Sequence, residues 1–138
     1  MSTVAKKIAT IVRCVDRARE EYAGAAGSFR TDHSRQDAAI LNVMRACEAA
    51  VDLANMLVRK RRLGLPSDMK ESFALLERGG LIPAQLCERM QKMIGFRNIA
   101  VHDYHALNLD IVEAVIGKHL GELLTFAEAV RPHLTDEN

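Results

Sequence analysis

An arginine, a histidine and a tyrosine lie within eight residues of one another in the string Gly-Phe-Arg-Asn-Ile-Ala-Val-His-Asp-Tyr, residues 95–104. Arg97 is always cationic and offers paired N–H donors to phosphate oxygens. His102 is a histidine, a residue type whose side chain can both take and give a proton near neutral pH. RNA strand cleavage without a metal needs those two abilities. A base removes the proton of a ribose 2′-hydroxyl, which attacks the adjacent phosphorus, and an acid protonates the departing 5′-oxygen. The arginine would steady the charge that develops on the phosphate. Asn98 is placed to orient His102 or to donate to the phosphate, and Tyr104 to stack on a base or bond the strand.

The string falls near the end of an amphipathic helix. Its apolar row runs Leu86, Met90, Met93, and the next positions on that row are Arg97, Val101 and Tyr104. Arg97 thus stands where a core residue is expected, and a buried unpaired charge is costly. The row must open there onto a cleft, a subunit interface or a bound anion. Residues five apart on a helix project about 140° apart, so Arg97 and His102 would not share a face. Asn98 and His102, four apart, would. Either the helix loosens near His102, or Arg97 bends round the axis, or a second copy completes the site.

Each residue also has a plain structural role open to it. Arg97 would pair with Asp52 or Glu48 of another helix, His102 would sit satisfied at an interface, and Tyr104 would bury its ring with its hydroxyl wet. A basic run, Arg59, Lys60, Arg61 and Arg62, is a candidate for RNA-backbone contact, or a solvated helix end favoured by the helix dipole. His119 falls on an apolar row and reads as a core or interface histidine.

Five helices are needed to position these residues. Periodicity predicts the first over residues 3–25 and the second over 33–63, ended by the basic run and Gly64. A short third helix over 68–78 follows Pro66, with Ser67 as its cap, and stops at Gly79-Gly80. The fourth opens near Pro83 and runs into the string. The fifth starts after Asn108 and is closed by Pro132. No alternating strand pattern or hairpin turn is present. The expected fold is all-α, four main helices and a short one, in a single domain over residues 1–138 with a polar tail at 135–138.

Composition narrows the function. A net charge of +1 supplies no global field for nucleic acid, so any RNA contact must be a local patch. Aromatics make up 4% of the chain, so the core must be largely aliphatic. Cys14, Cys47 and Cys87 are odd in number, widely spaced and inside helical patterns, which reads as packed thiols in a reducing compartment. No metal-ligand spacing, Gly-rich phosphate loop or other cofactor motif occurs, and neither metal nor cofactor is expected. Two lysines near the N-terminus precede no apolar run, so no signal peptide is expected, and no stretch is long enough to span a bilayer. The expected compartment is the cytoplasm.

The motif Arg-polar-x-x-x-His-x-Tyr, here Arg97-Asn98…His102…Tyr104, together with Gly-Phe before it, resembles the signature of the HEPN ribonucleases, in particular the HepT-like toxins. The resemblance covers most of the chain. It implies a HEPN-type helical bundle and a metal-independent endoribonuclease, the toxin of a prokaryotic toxin–antitoxin pair. It implies a homodimer whose paired motifs line a cleft, with RNA as substrate. The implied partner is a nucleotidyltransferase antitoxin that transfers AMP from ATP onto Tyr104. On that reading Arg97 and His102 are catalytic and Asn98 and Tyr104 support them. A different class of function fits the same residues: a non-catalytic helical adaptor that binds a nucleotidyltransferase, with Arg97 and His102 serving the interface. A plain dimeric bundle is the third reading.

Overall fold

A computed structural model describes residues 2–135. Six α-helices occur among them: α1 (Thr3–Gly24), α2 (His33–Arg61), α3 (Met69–Arg78), α4 (Ala84–His102), α5 (Leu109–Ala114) and α6 (Leu120–Leu134). A single π turn, Val115–His119, joins α5 to α6, so these three pieces together form the predicted fifth helix. No strand is present among the described residues. The expected polar tail at 135–138 lies outside them beyond Thr135.

Local sequence fixes the helix starts. The side chains of Ser2, Asp32 and Asp68 each accept a backbone N–H one turn on, at 3.1, 3.1 and 2.8 Å. Asn108 does the same for Asp110 and Ile111. A cap of this kind contributes about 0.5–2 kcal/mol. The cap of α3 is Asp68 rather than the expected Ser67, whose own N–H is taken by the Glu71 carboxylate at 2.7 Å. Helix α2 ends on Arg62, which takes the left-handed conformation at φ 53°, while Gly64 lies further out. Leu63 N–H then reaches back to the Val58 carbonyl at 3.0 Å and closes the end.

α1 and α2 pack as a long antiparallel pair, and α6 lies against both. Ile11, Val15 and Ala18 of α1 and Val43, Ala50, Leu53 and Leu57 of α2 belong to one core, all fully or almost fully buried. The core is aliphatic as expected, yet each of the four phenylalanines is also inside it; Phe73 and Phe126 pack edge to face with ring centroids 5.1 Å apart. All three cysteines are free and buried.

Two expectations about the last helix are corrected. Pro132 lies inside α6, which continues to Leu134, so it does not close the helix. His119 is exposed and bonds Glu122 at 3.1 Å instead of entering the core. The π turn ends at His119. The buried row runs Ile116, Leu120, Leu123, and His119 turns outward beside it.

Candidate active site

α4 carries the site because its buried row, Leu86, Met90, Met93 and Ala100, faces the bundle and takes Arg97 in with it. The Arg97 side chain retains only 15% of its exposure. Its Nη2 donates to Glu48 Oε2 of α2 at 3.1 Å, and its Nη1 to Asn98 Oδ1 at 3.1 Å. Nε is buried and has no hydrogen-bond partner among the described residues. Of the two acids expected to pair with Arg97, Glu48 does so; Asp52 is taken by Lys7 at 2.7 Å. Glu48 is itself 45% exposed, so the pair lies where the core meets water. Cys47 forms part of the wall behind it, its thiol near the Met93 carbonyl, and burial pushes its pKa up to about 12.

The helix ends cleanly at His102. Asp103 leaves the helical conformation, at φ −152° and ψ 63°, while its N–H still reaches the Ile99 carbonyl at 2.8 Å. Tyr104 therefore leaves α4 and begins a short 3₁₀ turn, Tyr104–Ala106. This corrects the expected row: Val101 is 40% exposed, and Tyr104 lies beyond the helix rather than on its buried stripe. The Tyr104 hydroxyl donates to the Asp37 carboxylate near the start of α2. Partial burial first, and the Asp37 contact second, push its pKa above the ordinary phenol value. Since α4 is unbroken through residue 102, Arg97 and His102 stay on different faces. Arg97 turns inward toward α2; His102 is exposed and makes no hydrogen bond or ion pair among the described residues.

The basic run lies elsewhere. Lys60 Nζ donates to the His133 carbonyl at 2.6 Å, and Arg61 meets the His133 ring at 3.2 Å. Both contacts tie the end of α2 to α6. Along α2, Lys60 is about 18 Å from Glu48, at ~1.5 Å per residue. Arg59 and Arg62 are exposed at the same end. The fold gathers Arg97, Asn98, His102 and Tyr104 at one end of α4 and leaves Arg59, Lys60, Arg61 and Arg62 apart from them.

A model of the family described as Ribonuclease HepT-like matches residues 11–130. The chain belongs to that family. An mRNA nuclease HepT of Shewanella oneidensis is 44% identical over 128 residues, covering 93% of this chain and 96% of that protein. Among solved structures, a toxin–antitoxin complex with AMP-PNP has a chain 42% identical with a TM-score of 0.89, covering 95% of this chain and 100% of the other. A tri-AMPylated Shewanella oneidensis HEPN toxin in complex with MNT antitoxin superposes equally well, at a TM-score of 0.89, 42% identity and coverage of 96% and 99%. The expected class, an endoribonuclease on an all-helical HEPN fold, is the class to which this HepT-like chain belongs.

Two features of this family member escaped the sequence reading. One is Asp37, the partner of the Tyr104 hydroxyl, 67 residues away in the chain. The other is a groove of about 570 Å³ between α1 and α2, where Arg13 and Arg17 of α1 face Arg45 of α2. The spacing of Arg13 and Arg17 marks one face of the first helix, but nothing local to either helix says that Arg45 lies opposite. A larger apolar groove of about 930 Å³ runs between α4 and α5, past Phe96, Ile99 and Ile111. Among the described residues no group of three or more His, Cys, Asp or Glu side chains is arranged to hold a metal ion. Among the described residues no helix is long and apolar enough to cross a membrane.

Proposed function

We propose that this chain is the toxin of a prokaryotic toxin–antitoxin pair, a metal-independent endoribonuclease that cuts RNA by 2′-hydroxyl transesterification. The observation that carries the reading is Arg97: a guanidinium drawn into a core row with its fork turned to a half-exposed carboxylate at the surface. Such a fork is pre-oriented for a phosphate that displaces or joins Glu48. His102, free at the end of the same helix, supplies proton transfer.

Cleavage proceeds in one displacement. The His102 imidazole takes the 2′-hydroxyl proton as that oxygen bonds to phosphorus. The bond from phosphorus to the 5′-oxygen breaks, and a second, protonated His102 gives that oxygen a proton. The products are a 2′,3′-cyclic phosphate and a 5′-hydroxyl end. One subunit cannot supply both histidines, and its own Arg97 and His102 point apart. That division supports a homodimer in which each Arg97 works with the partner copy's histidine. Exposed Ile99, Val101 and Ile111 on and beside α4 supply apolar surface for such an interface.

Control rests on Tyr104 and a nucleotidyltransferase antitoxin. The phenol oxygen would bond to the α-phosphorus of ATP, pyrophosphate would leave, and Asp37 is an acceptor in place for the phenolic proton. The added phosphate and adenosine next to His102 would then block the strand by bulk and by repulsion. The AMP-modified, antitoxin-bound relative supports this assignment. Its place of action would be the cytoplasm.

Purified protein in chelator should cut RNA to cyclic-phosphate ends, and His102→Ala should abolish cutting. Retained cutting in that variant sinks the mechanism. Co-expression with the antitoxin should add AMP mass to the intact protein but not to Tyr104→Phe. The adaptor reading draws on the Arg97–Glu48 ion pair; it requires antitoxin binding with no nuclease activity in the free protein.

A further inference from the structure

We propose that the groove between α1 and α2 is a track for the RNA backbone leading to Arg97, with Arg13 and Arg45 as its phosphate contacts. The inference rests on the ribonuclease reading above.

The groove and the site share a wall. Glu48, the partner of Arg97, lines the groove at its edge. Arg45 lies three residues before Glu48 on α2, one turn away, so it and the Arg97 fork stand a short step apart along the same surface. Arg13 faces Arg45 from α1. Both are exposed, and neither makes a hydrogen bond or ion pair among the described residues. The other charged side chains that line the groove are paired: Lys7 holds Asp52, Arg17 reaches Glu21 at 3.5 Å, and Glu48 holds Arg97 at 3.1 Å.

The cations converge. Burial raises the pKa of Cys14 in the groove floor, and Arg13, Arg45 and Arg17 each pull it back down. The lining carries four basic residues against two acids, Glu48 and Asp52, in a chain whose net charge is +1. The local excess that RNA needs is therefore present here, although the whole chain lacks it. The chemistry suits a single strand rather than a base-specific pocket. No aromatic ring lines the groove, so it offers no stacking platform. Leu41, 43% exposed, gives apolar contact for a sugar or base face. Recognition would be of phosphates and largely independent of sequence.

The test uses full-length protein and a short 2′-O-methyl RNA, which binds but has no free 2′-hydroxyl to attack. Fluorescence anisotropy is followed from 50 to 200 mM salt, with cleavage kinetics on the unmodified RNA. Arg13→Ala and Arg45→Ala should each weaken binding about three- to tenfold. The double variant should flatten the slope of log affinity against log salt by about 1.4, at ~0.7 per single-strand phosphate contact. KM should rise in step while kcat changes less than twofold. Unchanged affinity and salt slope overturn the track. So does loss of antitoxin binding or of the dimer at unchanged RNA affinity, or competition by ATP that the two variants remove. Wild-type protein that cuts no RNA removes the ribonuclease reading, and the track with it.

Discussion

Glu48→Gln separates the two jobs that the structure gives the Arg97 site. At 3.1 Å, unit charges in a medium of effective permittivity ~20 attract by about 5 kcal/mol before any desolvation. The net value is far smaller, because Glu48 is 45% exposed and solvent screens it; about 1 kcal/mol is the expected loss. Glutamine keeps an acceptor for Nη2, which holds the loss near that figure. For a chain of 138 residues it corresponds to a fall in Tm of about 4 °C. RNA binding should move the other way. A carboxylate ~6 Å from a bound phosphate repels it by about 0.7 kcal/mol in a water-like medium, so its removal should lower KM about threefold with kcat unchanged. Thermal melting and initial rates on one oligonucleotide read both effects. A higher KM, or a kcat down tenfold, would refute the reasoning: Glu48 would then position Arg97 or move a proton rather than compete with the substrate.

The tyrosine titration has a definite sign. Partial burial and Asp37 favour the neutral Tyr104 phenol. The stability this gives is fully present below the ordinary phenol pKa of about 10, and is lost as pH rises through the raised value. Asp37→Asn should bring one of the two tyrosines part of the way back toward pH ~10 in an ultraviolet titration; an unchanged curve means that the carboxylate does not hold the phenol. The cysteines should be inert, since burial pushes Cys47 up to about 12 and Cys87 up to about 11. Native protein should therefore leave Ellman's reagent unreacted over a time in which unfolded protein releases three thiols; rapid reaction of the native form would overturn the packing described for them.

The helices were legible because their signals are local. The Asn108 cap and apolar rows at helical spacing announce themselves within one or two turns, and the cap of α3 is displaced by only one residue, from Ser67 to Asp68. The errors came where a local rule met a tertiary demand. Pro132 is locally a stop signal, but α6 passes through it because Phe126, Val130 and Leu134 are all held in the core. Gly64 is the local cap signal for α2, but Arg62 already takes the left-handed turn there.

The sequence alone determined that a cation falls in a core row at Arg97, and that a histidine and a tyrosine follow at fixed intervals. Periodicity and residue chemistry suffice for that. Only the tertiary structure decided what those groups face. Glu48 and not Asp52 meets Arg97, Asp37 holds Tyr104, and Arg45 lines one groove with Arg13. These partners lie 49, 67 and 32 residues apart, respectively. Their meeting depends on how α1, α2 and α4 cross, which side-chain packing of the whole core sets and no local pattern records.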